Sequence, residues 1–267
     1  MTPEQIISQL KKWHIKFKEY RDWETHNRNH KGPWGPVNGF MWHHTGSDDD
    51  DQRELLYNGY GDLPGPLCQF GIAQDGTVWL IGWGRANHAG LGDDDVLEAV
   101  INETETPVDD EANTDGNRHF YGAEFWYSGN HPMSAAQYTS GVKLSCAILD
   151  WHKWDEESVI FHGMWQPGKW DPGMKANTMM DINPVRKSID EALKKGPNVG
   201  MPTHPLPLPE VYKDVWETDA MDKAKTSTSN PENTLWTPET MLRYAAEQAA
   251  QANQKADQIL KLLGNLE

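Results

Sequence analysis

The chain has 267 residues, 37% of them hydrophobic, and its 40 acidic side chains outnumber 24 basic ones for a formal charge of -16. That balance excludes a general binder of nucleic-acid backbones or of anionic lipid, both of which need a cationic footprint. No apolar run approaches the ~20 residues of a membrane span, so membrane insertion is not expected, and two cysteines, Cys68 and Cys146, imply no disulfide framework and fit a reducing compartment.

The first segment, "MTPEQIISQLKKWHIKF", reads as a helix, with Thr2 as N-cap, Pro3 in the first turn and Gln5 closing a capping box. It lacks the order of charge, apolar block and small-residue cleavage site of a signal peptide, so a soluble chain made in the cytoplasm is expected. A loop, "NRNHKGPWGP", leads to "VNGFMWHHTG", a strand-like run that ends in two histidines. From Cys68 to Gly82, two apolar stretches flank Gln74-Asp75-Gly76, a hairpin pattern with a tight Asp-Gly turn. "HFYGAEFWYSG", from His119 to Gly129, is a further strand candidate.

Ser134 opens a long helix, with Gln137 completing a second capping box, and Tyr138, Val142, Ser145, Cys146 and Leu149 share one face. "SVIF", residues 158 to 161, is a short strand candidate. "INPVRKSIDEALKKGP" then reads as a helix capped by Asn183, with Pro184 in its first turn and Gly196-Pro197 as its stop. Two acidic stretches, "SDDDDQRE" and the run from Asp93 to Asp115, lack the calcium-loop pattern and read as solvated loops. Strands interleaved with helices over residues 1–196 indicate a mixed α/β domain.

Composition changes at Gly196. Residues 197–236 are proline-rich and then polar, a linker composition. Residues 237–267 read as an amphipathic helix on which Leu242, Ala245, Ala249, Ala252, Ala256, Ile259, Leu263 and Leu266 recur at spacings of three and four. Such a seam forms a coiled coil, giving a homo-oligomer through 242–266, or docks the helix onto its own domain.

The chemistry gathers at strand ends, where loops present functional groups. His43 and His44 end one apolar run; His162 ends another, with Asp171 nine residues on across the loop "HGMWQPGKWDPG". Two histidines and a carboxylate are a catalytic zinc donor set that leaves a fourth position for water. Spacing alone leaves open that these are surface or core residues.

"WHHTG", "YGAEF" and "HGMWQPGKWDPG", in this order, resemble the motifs of zinc-dependent N-acetylmuramoyl-L-alanine amidases, the type-2 amidases related to peptidoglycan recognition proteins and phage lysins. The resemblance spans roughly residues 35–193 and includes "DGTVW" and the "NHAG" at 87–90. It implies a central mixed β-sheet flanked by helices, one zinc ion held by His43, His162 and Asp171, and Glu124 as the catalytic proton carrier. Lys169 would stabilise the oxyanion. The pattern departs mildly around the second histidine, which Phe161 precedes and Gly163 follows.

His44, His88 and Trp42 are expected near the substrate, with one or two of Trp42, Trp126, Trp165 and Trp170 lining a groove that the "YNGYGDLPGP" segment, including Tyr57 and Asn58, approaches. The implied partner is bacterial peptidoglycan. With no signal-peptide pattern, a proline-rich spacer and an extra C-terminal segment, the chain looks most like a bacteriophage endolysin. Such an enzyme is held in the host cytoplasm and reaches the wall once the membrane is breached. A peptidoglycan-binding module without catalysis, a virion structural component and a cytoplasmic wall-recycling amidase are the alternatives.

Overall fold

Six short strands form the central sheet in the computed structural model, which describes residues 1–197. They are β1 (Phe17–Glu19), β2 (Gly39–His44), β3 (Phe70–Ile72), β4 (Val78–Leu80), β5 (Phe120–Phe125) and β6 (Val159–Phe161). The spatial order is β1-β4-β3-β5-β2-β6. Every neighbouring pair is parallel except the β3–β4 hairpin, so the sheet is mixed. That hairpin turns at Asp75-Gly76 as expected, with Gly76 at φ +78°, a left-handed conformation that costs glycine nothing. The rest of the linker after Pro197 and the helix expected over 237–267, with its oligomer seam, lie outside the described residues.

Five helices of six residues or more accompany the sheet: α1 (Pro3–Lys12), α2 (Arg53–Asn58), α3 (Asp94–Ile101), α4 (Ala135–His152) and α5 (Ile182–Lys195). Both expected capping boxes are present, Thr2 with Gln5 on α1 and Ser134 with Gln137 on α4. The α5 cap differs from expectation. Asp181, not Asn183, begins the helix, its carboxylate accepting from the Asn183 N–H at 3.0 Å. Asn183 and Pro184 thus sit within the first turn, where a missing N–H is harmless.

A mostly parallel sheet must be covered on both faces, and alternation along the strands shows how. Phe40, Trp42, Tyr121, Ala123, Phe125, Val159 and Phe161 join the core that includes buried residues of α1, α4 and α5. Met41, Phe120 and Ile160 point the other way, against Val96, Leu97 and Val100 of α3 and against Trp165. Burying one such side chain contributes about 1.5–3 kcal/mol, so the strand parity is strongly held. Among the described residues, no helix is long and apolar enough to cross a membrane.

Helix α3 corrects one expectation. The sequence of the stretch from Asp93 suggests a solvated loop, yet Asp93 is 2% exposed and caps α3. Its Oδ1 accepts from Asp95 N–H at 2.8 Å, while its Oδ2 takes the N–H groups of Asp110 at 2.8 Å and Glu111 at 3.2 Å. One carboxylate therefore starts a helix and ties down the loop that follows it.

Candidate active site

Three adjacent parallel strands carry the site at their C-terminal ends, where ligands bind in open α/β sheets. His43 on β2 stands in register with Glu124 on β5. Phe161 pairs with Trp42, so His162 comes one step beyond, beside His43. Period-two alternation does the rest: Met41 and His43, Gly122 and Glu124, and Ile160 and His162 share parity. All three functional side chains emerge on the face that α3 covers further down the strands.

The loop after β6 returns the fourth group. A single 3-10 turn at His162–Met164 reverses the chain, and Gly163 N–H donates to Asp171 O at 2.9 Å to close it. His43 Nδ1 and His162 Nδ1 lie 3.1 Å apart, and each is 3.0 Å from Asp171 Oδ2. Both histidines are buried. Burial pulls the His43 imidazole down to about 4, against the pull of Asp171. Burial also opposes ionisation of Asp171, but hydrogen bonds with His162 and His43 outweigh it and hold the carboxyl well below the usual range.

Two imidazole nitrogens and a carboxylate oxygen this close call for a cation between them. Their separations approach the ~3.3 Å between neighbouring ligands around a tetrahedral zinc with bonds of about 2.0 Å. The remaining nitrogens are engaged elsewhere, His43 Nε2 with His88 Nδ1 and His162 Nε2 with Gln166 Oε1, both at 3.0 Å. The Nδ1 lone pairs are thus left for the centre of the triangle. The donor set fits zinc.

Glu124 lines the same cleft, of about 410 Å³, together with His44, Lys169 and Trp170. The side chain as a whole is half-buried, yet its Oε2 is sealed from solvent without a hydrogen-bond partner. Burial, reinforced by the nearby Asp171 charge, pushes the Glu124 carboxyl well above the usual range, while the Lys169 ammonium pulls it back. Lys169 is exposed on the returning loop.

The sequence of residues 33–174 matches the family model described as N-acetylmuramoyl-L-alanine amidase. The chain belongs to this family. Among solved structures, the amidase is similar to an endolysin N-acetylmuramoyl-L-alanine amidase, LysCS, from Clostridium intestinale URNW. That likeness has 17% identity and a TM-score of 0.39, covering 60% of this chain and 88% of that one. AmpD is similar at 16% identity and TM-score 0.41, over 60% of this chain and 87% of its own. A Drosophila peptidoglycan recognition protein, PGRP-SA, is similar at 15% identity and TM-score 0.39, over 71% and 97%. Among curated proteins no sequence match is found.

The amidase brings the five residues His43, His162, Asp171, Glu124 and Lys169 to one cleft, but it treats the expected substrate contacts unevenly. Trp42 is 0% exposed and packs in the core on the opposite face, its indole N–H donating to Ser145 at 3.1 Å, so it cannot touch substrate. Trp126 and Trp165 are likewise buried, whereas Trp170 does line the cleft, edge-on to His44. His44 accepts the Gly173 N–H on its Nδ1 at 2.9 Å, which steadies the loop beyond Asp171. His88 reaches the cleft wall, but both its ring nitrogens are engaged, with His43 and with Phe120 O, and neither remains for a ligand. In the 57–66 segment Tyr57 is turned away, stacked on His26 and bonded to Asp22. The cleft rim is instead built by Leu55, Tyr60 and Leu63, with Tyr60 60% exposed. Sequence reasoning missed Gln166, although its spacing of four from His162 fits one turn of chain.

Proposed function

We propose that this amidase hydrolyses the bond between N-acetylmuramic acid and L-alanine at a single zinc held by His43, His162 and Asp171, with Glu124 and Lys169 as its catalytic side chains. One observation carries the reading. Three donor atoms 3.0–3.1 Å apart stand in a cleft that Glu124 and Lys169 also line.

Zinc bound there would activate water and polarise the amide carbonyl. Glu124 takes a proton from the attacking water and returns it to the amine of L-alanine as the C–N bond breaks. The raised proton affinity of its carboxyl suits that task, since a base tuned upward by burial takes a proton more readily. Lys169, exposed on the loop, supplies positive charge as the carbonyl oxygen becomes anionic. His44 and Trp170 present an edge-to-face pair along the cleft that suits contact with a sugar or peptide portion of the substrate.

In this reading the chain is an endolysin-type enzyme of a bacteriophage, which degrades the host wall after the membrane is breached. Support comes from a wall-hydrolase family domain followed by a proline-rich spacer and an amphipathic C-terminal pattern.

Turbidity of purified cell walls tests both levels. Walls should clear with the protein as purified, stop clearing in excess chelator and clear again on adding zinc. Clearing that persists unchanged in chelator overturns the zinc mechanism. Hydrolysis of soluble muropeptides with no clearing of intact walls overturns the endolysin role in favour of wall recycling.

A further inference from the structure

His88 stands behind His43 in an arrangement that leaves its proton placement no freedom. Its Nε2 lies 3.2 Å from the backbone oxygen of Phe120, which can only accept, so Nε2 carries the hydrogen. A neutral imidazole has one N–H, so Nδ1 of His88 bears a lone pair, and it faces His43 Nε2 at 3.0 Å. His43 must donate there. Its own Nδ1 is thereby stripped of hydrogen and offered to the space shared with His162 and Asp171. The carbonyl of Phe120, two peptide units before Gly122 on β5, in effect dictates which face of His43 is a ligand.

The surroundings hold the ring for this purpose. Asn117 Oδ1 accepts from the backbone N–H groups of both His88 and Ala89 at 2.8 Å, fixing the chain on which the ring stands. A Cβ at Gly122 would come within 2.6–2.8 Å of the His88 ring, so a side chain at that position has no room. By contrast, the matching contact from Gln166 to His162 comes from a half-buried side chain on the turn.

We propose that His88 is a positioning residue: it fixes the tautomer and ring orientation of His43 and thereby sets how tightly the site retains its metal. This rests on the zinc reading above, and concerns a residue that touches neither metal nor substrate.

The test uses the full chain, stripped of metal, with zinc affinity measured by competition against a chromophoric chelator. His88→Phe keeps a flat ring but removes the acceptor. His88→Asn places Oδ1 where Nδ1 stands and can still accept from His43. Outer-shell partners of this kind are worth about 10–100-fold in metal affinity, so the Phe variant should weaken zinc binding by about that factor. The Asn variant should stay within about threefold of wild type, well short of that loss. Equal loss in both variants, or no loss in the Phe variant, overturns the proposal while leaving the zinc site standing. Failure of the wild-type chain to bind one zinc overturns the zinc reading itself, and this inference with it. A readout without mutation stands beside these: nuclear magnetic resonance of the zinc-loaded wild type should show a slowly exchanging His43 Hε2 coupled to the His88 ring. Its absence overturns the relay even if the Phe variant fails to fold.

Discussion

Replacing Glu124 separates the proton-carrying role proposed for its carboxyl from what that carboxyl costs the fold. Its Oε2 has essentially no exposed surface and no partner, and an unpaired buried polar group costs about 1–3 kcal/mol. Glu124→Met keeps the length of the side chain and removes the unpaired group. In chelator-treated protein the Met variant should gain about 1–2 kcal/mol of stability, which corresponds to roughly 2–8 °C in melting temperature for a domain of this size. Glu124→Gln keeps the shape but cannot carry the proton, so kcat should fall by about 10²–10⁴. Differential scanning calorimetry in chelator and a wall-clearing assay with zinc read the two effects separately. A Met variant that melts lower than wild type, or a Gln variant that keeps a third or more of the activity, would refute the reasoning.

Other substitutions probe the frame around the site. Asp93→Ala removes the α3 cap and the anchor for Asp110 and Glu111 together, and should cost about 2 kcal/mol, at the upper end of cap losses. Urea unfolding would show it, and a midpoint unchanged from wild type would mean the capped loop contributes nothing. His152 lies against the Tyr121 hydroxyl at 3.2 Å and stacks on Trp154, and burial with the nearby N-terminal ammonium lowers it from 6.5 to about 4. The unfolded chain therefore takes up this proton first, so stability falls as pH drops from about 6.5 toward 4. The His152→Gln variant should lose less over that window. A difference of order 1 kcal/mol is expected, because the ring is only partly shielded from solvent. Urea midpoints at several pH values check it, and parallel profiles for the two proteins would count against the assignment.

Local signals in the chain were the most readable. The capping boxes at Thr2 and Ser134 and the Asp75-Gly76 turn depend on neighbours within a few residues, and each forms where expected. The five residues that meet in the cleft were reached through ordered motifs, since nothing in their spacing says that residues 43, 124 and 162 share one face. Strand parity carried one unused signal. If His43 faces the cleft, Trp42 beside it on the same strand must face away, and it does. Helix α3 was hidden by its own cap, because three consecutive aspartates look like a solvated loop until the buried Val96, Leu97, Ala99 and Val100 are seen to follow at helical spacing. The link between His88 and His43 had no local trace. It spans 45 residues and exists only because β5 places the Phe120 carbonyl and the bare Cα of Gly122 beside the ring.

The triangle of donors also has a history in the folding chain. His162 and Asp171 are nine residues apart and can meet in a short loop, but His43 lies 119 residues from His162. An unfolded chain can therefore offer an ion only the weak local pair, and the third donor arrives when β2 has docked beside β6. An ion that prefers the complete triangle acts as a removable staple across more than a hundred residues, adding its binding energy to the stability of the folded state. Zinc supply would then govern how long the enzyme survives as well as whether it turns over.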